Sequence, residues 1–268
     1  MIKPLFVPST IRHLAVALLL LASAPAAAQL LGTAASFAVL GATPSVTNTG
    51  PTLVSGSVGV WPALSITGFP PGLIVPGTGA LHPGTAAAQQ AQADTTAAYL
   101  ALAGMVSAPI APALGGQILT PGVYNAGAAN LTGTLTLNGP GLYVIQTTAL
   151  TTASGPAASS VSLINGASAC DVFWQVGSSA AIGTFSAMQG NILALTSITI
   201  ATSASLQGRA LARNGTVTMD TNVISACGIA GAAAQGPHPT PTLSEWSMIL
   251  LVLLMATVGL VAIGRRAG

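Results

Sequence analysis

The chain of 268 residues is 51% hydrophobic but only 4% charged and 4% aromatic, where ordinary globular proteins carry about 25% charged residues. Its formal charge of +2 sits largely at the ends, in Lys3, Arg12, Arg265 and Arg266, so the middle offers no basic patch and nucleic acid is excluded as a partner. Enzymatic chemistry is excluded as well, because Asp94, Asp171, Asp220, Arg209, Arg213 and His82 are too few and too scattered for acid–base or metal-assisted catalysis; no cofactor or metal site is expected.

Lys3 and Arg12 precede an apolar run over residues 14–22, and Ala26, Ala27 and Ala28 supply small residues for cleavage before Gln29. This predicts a secretory signal peptide over residues 1–28, the run being too short to span a bilayer comfortably. The mature domain is expected over residues 29–234.

Between Tyr143 and Ser225 the sequence repeats itself. Residues 178–184, 196–202 and 215–221 align so that Thr184, Thr202 and Thr221 fall 18 and then 19 residues apart. An apolar stretch precedes each segment, and residues 143–146 leading to 149–152 form an earlier copy. A strand–turn–strand repeat of about twenty residues predicts a β-solenoid, whose coils bury their apolar faces by stacking on neighbours.

Strand alternation sends Leu150, Ile182, Ile198, Ile200, Val217 and Met219 inward. It sends outward Thr147, Ala149 and Thr151; Ser179, Ala181 and Gly183; Ser197, Thr199 and Ala201; and Thr216, Thr218 and Asp220. An ordinary solvated strand face carries Lys, Glu and Arg. This one carries short side chains, spaced about 4.8 Å between coils and about 6.7 Å along a strand. These spacings lie close to repeats of the ice lattice, and threonine offers a methyl for apolar contact beside a hydroxyl for ordered water. Small residues also suit a tightly wound solenoid, so the pattern alone leaves both readings open. Thr152, Thr184, Thr202 and Thr221 fall out of the alternation and are expected at corners, bonded to backbone. Arg209 and Arg213 are expected to pair structurally with Asp220. Trp174 reads as core and Trp61 as a turn residue.

Cys170 and Cys227 are the only cysteines. In an exported protein a disulfide between them and two buried free thiols are both open, since geometry decides pairing.

Pro237, Pro239 and Pro241 mark a linker, expected with a sorting motif over residues 235–247. Residues 248–264 are apolar and uncharged; at 1.5 Å per residue they reach roughly 25 Å, near the short limit for a transmembrane helix. Arg265 and Arg266 then predict a cytoplasmic basic tail over residues 265–268. The run Pro241, Thr242, Leu243, Ser244, Glu245, Trp246, followed by this span and the arginines, resembles the IPTL-type sorting signals of Gram-negative bacteria. Thr240 and Ser247 depart from that pattern, which has Ile and Gly there. The resemblance implies an exosortase-like processing enzyme as a partner and display at the cell surface, on the outer membrane or outside the cell. A plain membrane anchor is the alternative, and either places the mature domain outside the inner membrane.

Further runs carry a second resemblance: residues 37–41, 46–50, 68–72, 119–124, 163–166, 172–177, 192–194 and 208–214 fall in the order found in the microbial ice-binding family with a discontinuous β-solenoid. That resemblance implies a mainly β fold, a right-handed parallel β-solenoid whose N-terminal segment packs beside the last coil, with one long α-helix alongside. Thr85 to Met105 suits the helix, since Ala91, Thr95, Ala98, Leu102 and Met105 recur at helical spacing. It also implies ice as the partner, met by a flat face containing Thr147, Thr151, Ser179, Ala181, Ser197, Thr199, Ala201, Thr216 and Thr218. Ala149, Ala181 and Asp220 make the array imperfect, so the expectation is recrystallisation inhibition or ice adhesion with modest thermal hysteresis. The alternative is a surface adhesin or structural solenoid that binds glycans or partner cells.

Overall fold

Short segments in which aliphatic and small residues alternate, such as Ser45–Asn48, Ile198–Ile200 and Val217–Met219, form strands that stack in parallel. The computed structural model describes residues 30–155 and 159–229. The expected signal peptide, linker, sorting motif, membrane helix and basic tail lie outside those residues. Among the described residues no helix is long and apolar enough to cross a membrane.

The coils build two parallel sheets, one of fifteen strands and one of seven. The larger sheet wraps two sides of the stack. Its strands Ala187–Ala194 and Ser205–Ala212 each serve both sides: Ala187 pairs with Ser160, whereas Asn191 pairs with Phe173. Gly190 and Gly208 lie one above the other at this change of partners, with φ of +107° and +149°. The third side is the seven-stranded sheet. Between the sides runs an aliphatic core containing Trp174, Ile145, Leu150, Ile182, Ile198, Ile200, Val217 and Met219. Fully burying each aliphatic side chain contributes roughly 1.5–3 kcal/mol. Trp174 is fully buried, as its position in an apolar strand predicted, and its indole N–H donates to Gln189 O at 2.9 Å.

Chain order and spatial order differ at one place. Val39 and Leu40 pair with Ala210 and Leu211, and the same strand pairs on its other edge with Ser57–Val60. On the seven-stranded side, Val46 pairs with Val217 and, on its other edge, with Ile66. The N-terminal segment therefore continues the stack beyond the last coil, the discontinuity that the resemblance implied.

Among the described residues the single long helix occupies Ala86–Ala103, with Thr85 as N-cap accepting from Ala88 N at 3.3 Å; the cap begins the helix where the sequence placed its start. It lies against the larger sheet. Ala88, Ala91, Ala98, Tyr99 and Leu102 form a second core with Leu40, Val144, Phe173, Leu193 and Leu211. Gln92 donates from one amide to Gly41 O and Ala212 O, each at 2.9 Å, pinning the helix across the junction between the N-terminal strand and the last coil. Gln146 holds the other end, donating to Leu102 O at 2.8 Å and Met105 O at 2.9 Å. One side of the stack is thus covered by the helix.

Cys170 and Cys227 are joined by a disulfide whose Cα atoms are 5.5 Å apart. Asn191 donates to Cys170 O at 3.1 Å and Arg209 to Cys227 O at 2.7 Å, one on each half of the bridge.

Candidate functional site

The seven-stranded sheet runs in the order Ala128–Leu131, Ala149–Thr152, Ala180–Ile182, Ile198–Ile200, Val217–Met219, Ser45–Asn48, Ser65–Thr67. Its inward residues are the aliphatics of the core. Its outward residues line up in register: Asn130, Thr151, Ala181, Thr199, Thr218, Thr47 and Thr67 form one straight rank across all seven strands. Ala113 extends the rank through an isolated parallel bridge to Asn130. Ser179, Ser197, Thr216, Ser45 and Ser65 stand one alternation earlier on their own strands or at the turns leading into them. Four consecutive strands, ending at the edge, present Thr199, Thr218, Thr47 and Thr67 without interruption.

Strand pairing holds the array in place, and a few side-chain bonds add to it. Thr47 Oγ1 lies 3.4 Å from Thr218 Oγ1, Asn130 donates to Thr151 Oγ1 at 3.2 Å, and Ser179 shares a 2.7 Å hydrogen bond with Thr196. The hydroxyls of Thr199 and Thr67 make no side-chain hydrogen bond within the described residues. The one carboxylate at the margin, Asp220, is occupied locally: Thr202 donates to it at 2.5 Å and Thr221 at 2.9 Å. The Thr202 and Thr221 bonds hold its carboxyl below the usual carboxylate range.

Thr151, Ala181, Thr199 and Thr218 stand in the rank, with Ser179, Ser197 and Thr216 beside it. Thr147 does not belong there and is a correction. It is only 5% exposed and ends the strand Tyr143–Thr147 on the helix side of the stack. Its hydroxyl is held among Gly127 O and Ala149 O, each at 2.5 Å, and Ala129 N at 3.1 Å. Thr147→Val strands a buried backbone N–H, and we expect thermal unfolding to show a loss of about 1–3 kcal/mol with the outward array intact. Ala201 lies past the end of its strand and turns into the corner, where its carbonyl accepts from Asn222 at 2.8 Å.

The expected pairing of Arg209 and Arg213 with Asp220 is also corrected. Arg213 donates to Thr96 Oγ1 at 3.3 Å and stacks its guanidinium 4.8 Å from the centre of the Tyr99 ring, tying coil to helix. Arg209 points to a different side of the stack and bonds to Ala35, Asn191 and Cys227. The corner threonines divide: Thr152 and Thr184 accept from the backbone N–H groups of Gly183 and Gly155, whereas Thr202 and Thr221 serve Asp220.

Thr47 and Thr67, with Ser45 and Ser65, were missed in the sequence. Their signal was the aliphatic–threonine alternation of Val46 with Thr47 and Ile66 with Thr67, which matches Val217 with Thr218. The remaining side of the stack is a poorer candidate for a flat surface. Its outward rank reads Thr134, Ser160, Ala187, Ser205, Val223, Leu53, Leu73. There, large exposed aliphatics break the level set by the small residues.

Comparison with known proteins agrees with this architecture. The family described as ice-binding-like matches residues 40–225, and the IPTL-CTERM motif matches residues 239–267. An ice-binding protein of Nostoc sp. (strain HG1) is 45% identical over 242 residues, covering 86% of this chain and 87% of its own. One from Flavobacterium frigoris (strain PS1) is 28% identical, covering 73% and 75%. Among solved structures, an ice-binding protein from an Antarctic biological consortium aligns with a TM-score of 0.67 at 43% identity, covering 72% of this chain and 89% of that one. The ice-binding protein of the Antarctic ascomycete Antarctomyces psychrotrophicus aligns with a TM-score of 0.67 at 40% identity, covering 72% and 96%. These relatives are binding proteins rather than enzymes. The parallel stack with its long helix and the match over residues 40–225 establish that the chain belongs to the ice-binding-like family.

Proposed function

We propose that this chain is an exported ice-binding protein that adsorbs to ice through its seven-stranded sheet. The observation that carries the reading is the unbroken rank of Thr199, Thr218, Thr47 and Thr67 on a side of the stack that no other described element covers, with no charged residue within the rank. Strand and coil spacings place the methyls and hydroxyls at fixed intervals of about 4.8 Å and 6.7 Å. A rigid array of this kind holds water in an ordered layer before contact, so little entropy remains to be lost on adsorption. The absence of charge matters equally, since an ammonium or carboxylate would impose its own hydration shell on that layer. Asn130, Ala181 and Ala113 thin the hydroxyls in the other half of the rank. The expected output is therefore recrystallisation inhibition and ice adhesion, with modest thermal hysteresis.

The match to the IPTL-CTERM motif supports export and surface tethering. In this reading Pro241, Thr242, Leu243, Glu245 and Trp246 address an exosortase-like enzyme, residues 248–264 hold the precursor in the membrane, and the solenoid reaches the cell surface or the medium. Purified residues 29–235 are expected to facet ice crystals and to suppress recrystallisation at micromolar concentration. Round, unfaceted crystals that coarsen as fast as in buffer would refute the reading.

A further inference from the structure

The threonine rank is made from two distant parts of the chain: Thr199 and Thr218 come from the last coils, Thr47 and Thr67 from the N-terminal segment. Their junction is paired on all three sides, and its shortest ladder is on the helix side, where Val39 pairs with Ala210 and Leu40 with Leu211; three positions pair on the seven-stranded side and three on the remaining side. A slip of one residue in such a ladder turns every outward side chain inward, which would bury Thr47 and expose Val46.

Arg209 sits at this junction. It is 4% exposed. Its Nε and Nη2 both donate to Ala35 O, at 3.0 and 2.5 Å, which fixes the turn immediately before the N-terminal strand. Nη2 also donates to Cys227 O at 2.7 Å, and Nη1 to Asn191 Oδ1 at 2.9 Å and Cys227 Sγ at 3.2 Å. Asn191 in turn donates to Cys170 O and Val172 O. None of the five Arg209 bonds ends on a carboxylate, so a buried cation is held by dipoles alone. Simple stability is a weak reason to keep such a group, because desolvating a charge is costly. Fixed geometry is a better one, since the planar fork can address the N-terminal turn, the preceding coil and the C-terminal turn at once.

We infer that Arg209 is a positioning residue for the ice-binding face: it locks the N-terminal segment in the register that aligns Thr47 and Thr67 with Thr218 and Thr199. This rests on the ice-binding reading, but its structural half is measurable without ice. The solved relatives are covered over 89% and 96% of their own chains by the matched region, so residues 29–235 serve as the folded unit. The test compares Arg209→Met and Arg209→Lys with the parent by amide hydrogen exchange and by recrystallisation inhibition; lysine keeps the charge but lacks the fork.

In both variants exchange is expected to rise at least tenfold at Val39, Leu40, Val46 and Thr47 while staying near parental values at Phe173, Trp174 and Ile192. Ice activity is expected to fall at least tenfold. A disulfide tether from Thr43→Cys with Asn214→Cys, at exposed positions where Thr43 Oγ1 already donates to Asn214 O at 2.9 Å, is expected to restore both. Unchanged exchange in the N-terminal strands, or a uniform rise over all coils, overturns the positioning role. A selective rise with undiminished ice activity overturns its link to the face. If the parent itself lacks ice activity the functional reading fails, and exchange still decides the register lock. Should Arg209→Met not fold, Arg209→Lys decides alone.

Discussion

Thr218→Tyr is expected to abolish ice faceting and recrystallisation inhibition while moving the melting temperature by no more than about 2 °C. Thr218 lies in the rank between Thr199 and Thr47, so a ring there lifts the ice front from both neighbours at once. Half-exposed at the surface, it makes no contact on which folding depends, and surface changes of this kind usually stay within about 0.5 kcal/mol, a shift of one or two degrees for a domain this size. The control is Ala97→Tyr on the exposed side of the helix, where activity is expected to persist. Equal loss at both positions would show that bulk anywhere is harmful. Loss only at Ala97 would put the binding surface on the helix.

The second large effect is on folding. Gly208→Ala is expected to destabilise the domain by about 3 kcal/mol or more, a severe loss against a typical total of 5–15 kcal/mol. Its φ of +149° is one that side-chain-bearing residues rarely adopt, and a Cβ there would run into the carbonyl of Gly190 in the adjacent coil. Backbone against backbone leaves no flexible group to yield. Gly77→Ala provides the contrast: its φ is +79° but no atom lies within 4 Å of the new methyl, so only the conformational cost of about 1 kcal/mol remains. Urea unfolding of the two variants separates these terms. Similar midpoints would mean that close coil packing contributes nothing at Gly208.

Several features were legible because alternation records them directly. Ile182, Ile198, Ile200, Val217 and Met219 are buried, and Thr199 and Thr218 are their outward neighbours. The helix was legible from its spacing and from its cap at Thr85. Thr147 was misread because alternation carries no notice of a corner: Thr147 and Ala149 are two residues apart, yet the chain changes sides of the stack between them. Thr47 and Thr67 escaped for the opposite reason. Nothing local sets them beside Thr218, which lies 171 residues from Thr47; only the register across the chain discontinuity does so. Arg209 and Asp220 are near in sequence but belong to different sides of one coil, a separation that charge counting does not reveal.

The central claim is that this uncharged sheet adsorbs to ice, and the most direct test is the partition of purified residues 29–235 into a slowly growing ice front. The account predicts that the parent is enriched in the ice fraction over an inert protein of similar size, and that Thr218→Tyr is excluded with the solutes. Exclusion of the parent together with the inert protein would contradict it.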